Sequence, residues 1–231
     1  MNYLKNDLQN LEKILNQVLQ QGLDYLNDID NRPTKSQLEV ESIFGLTENG
    51  FGTVGTLKQF NERFEPTIVA SSGPRYWGFV TGGTTPAAIA GDWLATVYDQ
   101  NTQSAKGNGD VSATIELETI KLLLSLFNLP EVFFGGFVTG ATLSNFTCLA
   151  IARQWIGKQI GIDFARDGIS QKVNVLSATP HSSAIKSLSM LGLGSNNFTQ
   201  VKVLSGNREA IDVRDLELKA QALNGEPFIL I

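Results

Sequence analysis

From about residue 132 onward, apolar runs of five to seven residues alternate with segments of helical periodicity. The runs are VFFGGFV at 132–138, KVNVLSA at 172–178, QVKVL at 200–204 and PFILI at 227–231. Between them, residues 142–159, 182–191 and 212–223 carry apolar residues at helical spacing, with Asp212 as an N-cap for the last. Continuous apolar runs predict strands buried on both faces. Their alternation with helices predicts a mainly parallel sheet covered by helices on both sides, an α/β architecture. In such sheets ligands bind at the C-terminal edge of the strands. No internal repeat is present.

The first half is read as mostly helical. Leu4, Leu8, Leu11, Leu15 and Val18 repeat at spacings of four and three, which predicts one stripe of a helix over 4–26. That stripe either covers its own domain or packs on a partner. Asn31-Arg32-Pro33 breaks the pattern, and residues 27–56 read as loop with short turns of helix. A Gly, Pro and aromatic stretch at 71–83 leads into a helix from Pro86 to about Tyr98, with proline suited to the first turn. Residues 101–110 are a polar, glycine-containing loop. A further helix is expected over 112–127.

Composition excludes some function classes. Eighteen Lys and Arg against 23 Asp and Glu give a net charge of −5, and the basic residues form no cluster. Nucleic acid and anionic membranes are therefore not expected partners. No apolar stretch approaches the ~18 residues of a membrane span, and the N-terminus lacks a secretory h-region. One cysteine, Cys148, allows no internal disulfide, in keeping with a cytoplasmic location. It lies in an apolar helical pattern and is expected to be a buried structural thiol.

Two places carry candidate chemistry. Residues 135–142 (GGFVTGAT) join a strand to a helix. Small residues there let a ligand approach the backbone, and a helix N-terminus offers free N–H groups to a phosphate. The Thr142 hydroxyl adds a donor. The alternative is a tight turn with no ligand. Gly135 and Gly140 have P-loop spacing, but Ala141 stands where that motif needs lysine, which argues against nucleotide hydrolysis. Gly192 and Gly194 lack the third glycine of a dinucleotide fingerprint, since position 197 is Asn197.

The single histidine, His181, follows the strand at 172–178, at the same sheet edge. Its imidazole can stack on an aromatic ligand or move a proton. The alternative is a loop histidine or helix cap. A metal site is not expected, because no second histidine or cysteine exists. No G-x-S-x-G elbow is present.

Four segments in order then carry a resemblance. They are PRYWGFVTGGTTPAAIAGDWLATVYDQN at 74–101, ELETIKLLLSLFNLP at 116–130, GGFVTGATLSNFTCLAIARQW at 135–155 and ATPHSSAIKSLSMLGLG at 178–194. Together they resemble the group II pyridoxal-phosphate-dependent decarboxylases, which act on aromatic amino acids, histidine, glutamate and related substrates. The resemblance covers about residues 60–231 and implies an aspartate-aminotransferase-type fold, truncated within its large domain. It implies an N-terminal helical segment at 1–56 facing a dimer partner, and the first part of the cofactor domain at 57–231.

By that resemblance Ala141 and Thr142 hold the phosphate of pyridoxal 5'-phosphate, and His181 stacks on its ring as the one catalytic position in this stretch. Trp77 and Phe79 lie in a loop that helps form the substrate pocket. Two departures stand out: Ala141 replaces a second glycine or serine, and Leu143 stands where an acidic residue is common. The family's pyridine-nitrogen aspartate and Schiff-base lysine are expected downstream of residue 231. No His–Lys pair occurs here, and nothing suggests that Lys186 substitutes. The implied reaction is α-decarboxylation of an amino acid to an amine and CO2, with this stretch inactive alone. The implied partners are an amino acid substrate, a second copy in a homodimer, and a possible second chain supplying the missing half. A non-catalytic dimerising protein on the same fold and a small phosphate-binding hydrolase are the alternatives.

Overall fold

The computed structural model describes residues 3–36, 38–41, 45–101 and 111–231. These form two compact units, Met1–Gln100 and Asn101–Ile231. The sequence division after residue 56 does not coincide with that boundary: residues 57–100 cluster with the N-terminal helices. Most of the loop expected at 101–110 lies outside the described residues.

The first unit is helical. Helices α1 (Tyr3–Gln9) and α2 (Leu11–Asn27) meet at Asn10, whose side-chain amide donates to the Asn6 carbonyl at 2.8 Å. A short amide side chain competing for backbone groups in this way interrupts a helix locally. Helix α3 (Gly52–Arg63), absent from the sequence reading, is tied to α1 by Asp7. The Asp7 carboxylate accepts from the Thr53 backbone N–H at 2.9 Å and its hydroxyl at 2.8 Å. A 3-10 turn at Glu65–Thr67 follows, where Glu65 accepts from Arg32 at 2.6 Å. The Arg32 guanidinium also lies 4.8 Å from the Tyr25 ring centroid. Helix α4 (Pro86–Tyr98) has Thr85 as N-cap and Pro86 at its first position, as expected.

In α2 the face packed inward carries Ile14, with Val18 and Tyr25 half-buried. Leu4, Leu8, Leu11 and Leu15 are exposed, and Leu19 and Leu23 extend the same stripe. Val18 therefore leaves the stripe on which its spacing had put it. A 3.6-residue repeat rotates it onto the packed face.

The second unit is the expected α/β layer structure. Its elements are α5 (Ser112–Leu126), α6 (Ala141–Gln159), α7 (Phe164–Asp167), β1 (Asn174–Ser177), α8 (Ser182–Met190), β2 (Thr199–Gln200), β3 (Val203–Leu204), β4 (Asn207–Ile211), α9 (Val213–Gln221) and β5 (Phe228–Leu230). The sheet runs β2-β1-β5, all parallel, with Leu176 opposite Thr199 and Val175 opposite Ile229. Alternation along β1 divides the core. Val173 and Val175 pack with Leu149, Ile156 and Leu188 of α6 and α8. Leu176 packs with Val201 and, from α9, Leu216 and Ala220. Burying each such side chain contributes ~1.5–3 kcal/mol, which fixes the register of β1 between its helices.

Two expectations are corrected. Residues 132–138 form no strand, and Phe134 is 95% exposed. An apolar run becomes a strand only when a neighbour completes the ladder, and no described strand pairs with it. The segment instead runs along α5, with Gly135 against Ile120 and the Phe137 N–H donating to Glu116 at 3.1 Å. The run at 200–204 also divides. Its first residue ends β2, and β3 then turns back at Gly206 into an antiparallel hairpin with β4. Helix periodicity fared better, because intrahelical hydrogen bonds need no partner segment.

Candidate phosphate and ring site at the sheet edge

Helix α6 starts at Ala141 without a side-chain cap on its N-cap residue, Gly140. The first intrahelical bond runs from Ser144 N–H to the Gly140 carbonyl at 3.0 Å. The N–H groups of Ala141, Thr142 and Leu143 precede it and find no acceptor among the described residues. A Cβ placed on Gly140 would meet nothing within 4 Å, so the approach to these donors is open. The first turn holds no acidic residue, leaving the positive end of a 19-residue helix uncompensated. Leu143, the departure noted above, is what keeps carboxylate out of that turn. Thr142 is exposed, with its hydroxyl available.

His181 lies four residues past the end of β1, at the C-terminal edge of the sheet, and is the N-cap of α8. Its Nδ1 accepts from the Ser183 backbone N–H at 3.2 Å. His181 thus caps a helix, the alternative that the sequence offered, and its ring is exposed. Ser183 is buried, and its hydroxyl lies 2.7 Å from Nδ1 and 2.8 Å from the Asn145 amide nitrogen. Asn145 follows Ala141 by four residues on the same face of α6. The open turn of α6 and the histidine therefore sit side by side, joined through Asn145 and Ser183. Neither linking residue stood out in the sequence; the only signal was the one-turn offset from Ala141 and the two-residue offset from His181.

Trp77 and Phe79 belong to the first unit, in the irregular segment before α4, and are 94% and 96% exposed. Phe79 takes a φ of +36°, which is unfavourable for a bulky side chain. Cys148 is exposed, not buried. The inward face of α6 carries Phe146, Leu149 and Ile156, and Cys148 is rotated ~100° from Leu149 toward solvent.

A groove of about 580 Å³ is lined by Ile151, Trp155 and Ile162. It lies toward the other end of α6 from Thr142, so this groove and the open donors are separate features. Among the described residues no cluster of His, Cys, Asp and Glu could hold a metal ion, and no helix is long and apolar enough to cross a membrane.

No family model matches the chain. It is 24% identical over 216 residues to an aromatic-L-amino-acid decarboxylase of Bacillus atrophaeus, covering 90% of this chain and 43% of that protein. It is 29% identical over 214 residues to L-tyrosine/L-DOPA decarboxylase 2 of Lophophora williamsii, covering 85% of this chain and 38% of that one. The chain thus spans less than half the length of these relatives. Its fold matches that of Oryza sativa TDC, solved with pyridoxal phosphate and tryptamine, at a TM-score of 0.76 and 16% identity, over 96% of this chain and 50% of that one. In sequence and in fold, the chain is related to the group II pyridoxal-phosphate-dependent amino acid decarboxylases, matching about half of such a protein as an N-terminal part would.

Proposed function

We propose that this chain forms the phosphate and ring-stacking side of the cofactor site in an amino acid α-decarboxylase. The observation that carries this reading is the open first turn of α6 beside His181, at the C-terminal edge of a parallel sheet. The residues present fit pyridoxal 5'-phosphate: three free N–H donors and a hydroxyl suit its phosphate, and an exposed imidazole suits its ring. When bound, the cofactor supplies the electron sink for the pair left as the α-carboxylate departs as CO2.

Ala141 and Thr142 bind the phosphate through backbone N–H groups and the Thr142 hydroxyl. That anchors one end of the cofactor at the helix dipole. His181 orients the ring by lying flat against it and shields that face from water. By the resemblance of their segment, Trp77 and Phe79 belong to a loop that helps form the substrate pocket. The 231 residues by themselves do not decarboxylate, because they hold one histidine, followed by Ser182, and no His–Lys pair.

The exposed leucine stripe of α1 and α2 supports a second copy of the chain as partner. Leu8→Lys with Leu15→Lys is expected to convert a dimer to monomer in light scattering; an unchanged mass removes the stripe from the interface.

The cofactor reading is tested by isothermal titration calorimetry with pyridoxal 5'-phosphate, with phosphate-free pyridoxal as the control. Saturable binding that needs the phosphate, and that weakens in Thr142→Val, is expected. Equal, weak association of both compounds would overturn it.

A further inference from the structure

We infer that Asn145 and Ser183 are positioning residues that lock His181 as its Nε2–H tautomer, with the ring plane fixed before any ligand arrives. This inference rests on the cofactor reading above for its purpose, but its geometry stands on the chain alone.

The proton assignment follows from which groups can only donate. The Ser183 backbone N–H is a donor, so at 3.2 Å it requires a lone pair on His181 Nδ1. The Ser183 hydroxyl oxygen accepts the Asn145 side-chain N–H at 2.8 Å. Its own proton is then free to point at Nδ1, 2.7 Å away. Both donors converge on one nitrogen, and in the neutral ring the proton must sit on Nε2. The other tautomer would set an N–H against the Ser183 N–H.

The lock is rigid because its parts are held independently. Ser183 is 7% exposed, so water does not compete for its hydroxyl. Its carbonyl accepts from the buried Ser187 hydroxyl at 2.8 Å, fixing the first turn of α8. Asn145 rises from α6, the helix whose open turn is read as the phosphate seat. The chain of hydrogen bonds therefore sets the ring relative to that seat, so no rotamer freedom of the imidazole is left to lose on binding.

The chain contains one histidine, so imidazole signals in proton–nitrogen NMR are unambiguous. With the ring neutral and no cofactor added, the wild-type chain is expected to show one pyridine-like nitrogen, Nδ1, and one protonated nitrogen, Nε2. In Ser183→Ala the hydroxyl donor is lost but the backbone N–H remains, so both signals shift part of the way toward a tautomer average. In Asn145→Asp the carboxylate draws the Ser183 proton away from Nδ1, giving the same shift with little change in shape. Both variants are expected to weaken cofactor binding by about threefold to tenfold, the loss of one hydrogen bond.

A tautomer mixture in the wild-type chain overturns the inference without any variant. So do variants that lower thermal stability yet keep the wild-type tautomer, the result of a merely structural role. A locked tautomer in a chain that fails to bind pyridoxal phosphate upholds the lock and overturns the cofactor reading instead.

Discussion

The Asp215 carboxylate accepts the backbone N–H of Lys202 at 2.8 Å, joining the first turn of α9 to the chain where it leaves β2. Lys219, one turn further along α9, lies 3.5 Å from the same carboxylate. The hydrogen bond from Lys202 is the largest effect on the Asp215 carboxyl; burial opposes it, and with the smaller contribution of the Lys219 charge the carboxyl is held below its ordinary 3.8. A folded value below the unfolded one means that the ionised form stabilises the fold. That stability is fully present above about pH 3.8 and is lost as the pH falls through the lowered folded value. Thermal unfolding followed from pH 6 downward is expected to show this loss. Asp215→Asn should have a lower midpoint at pH 6 and a flatter acid limb; an unchanged acid limb would remove Asp215 from the account.

Two helical glycines should respond to alanine with opposite signs. In α2, a Cβ on Gly22 would meet nothing within 4 Å, so Gly22→Ala is expected to stabilise by ~1 kcal/mol through helix propensity. In α6, a Cβ on Gly157 would come 2.6 Å from the Ile162 carbonyl oxygen and 2.8 Å from the Phe164 ring. The backbone oxygen cannot step aside as a flexible side chain can. Overpacking of ~1–3 kcal/mol then exceeds the propensity gain, and Gly157→Ala should destabilise. Urea midpoints of the two variants read the signs directly.

Leu188 is fully buried between α8 and the sheet, in the cluster with Leu149, Ile156 and Val175. Leu188→Ala is expected to lower stability by ~2–5 kcal/mol through lost burial and an unfilled cavity. A loss under 1 kcal/mol in denaturant unfolding would mean that this core is not packed as described.

Cys148 faces solvent. The folded chain should therefore take up one equivalent of a thiol-specific reagent without denaturant. A thiol that reacts only after unfolding would restore the buried placement expected from the sequence.

What the sequence determined by itself was everything with a local cause. Pro86 after Thr85 opened α4, Asp212 capped α9, and helical periodicity located α5, α6 and α8, because a helix satisfies its own backbone within one segment. The apolar runs at 172–178 and 227–231 likewise became strands of a parallel sheet. Ordered motifs also carried the family resemblance and the positions Ala141, Thr142 and His181.

Tertiary structure decided the features that depend on a neighbour. Residues 132–138 have strand composition but no paired strand, since a ladder needs two members. The run at 200–204 was split between sheet and hairpin by the return of β4. Rotation about the helix axis put Val18 inward and Cys148 outward, a matter of which face met a partner. The Asn145–Ser183–His181 chain joins residues 38 apart in sequence, and no spacing rule reaches across that distance. Only the packing of α6 on α8 brings those polar atoms within hydrogen-bonding range.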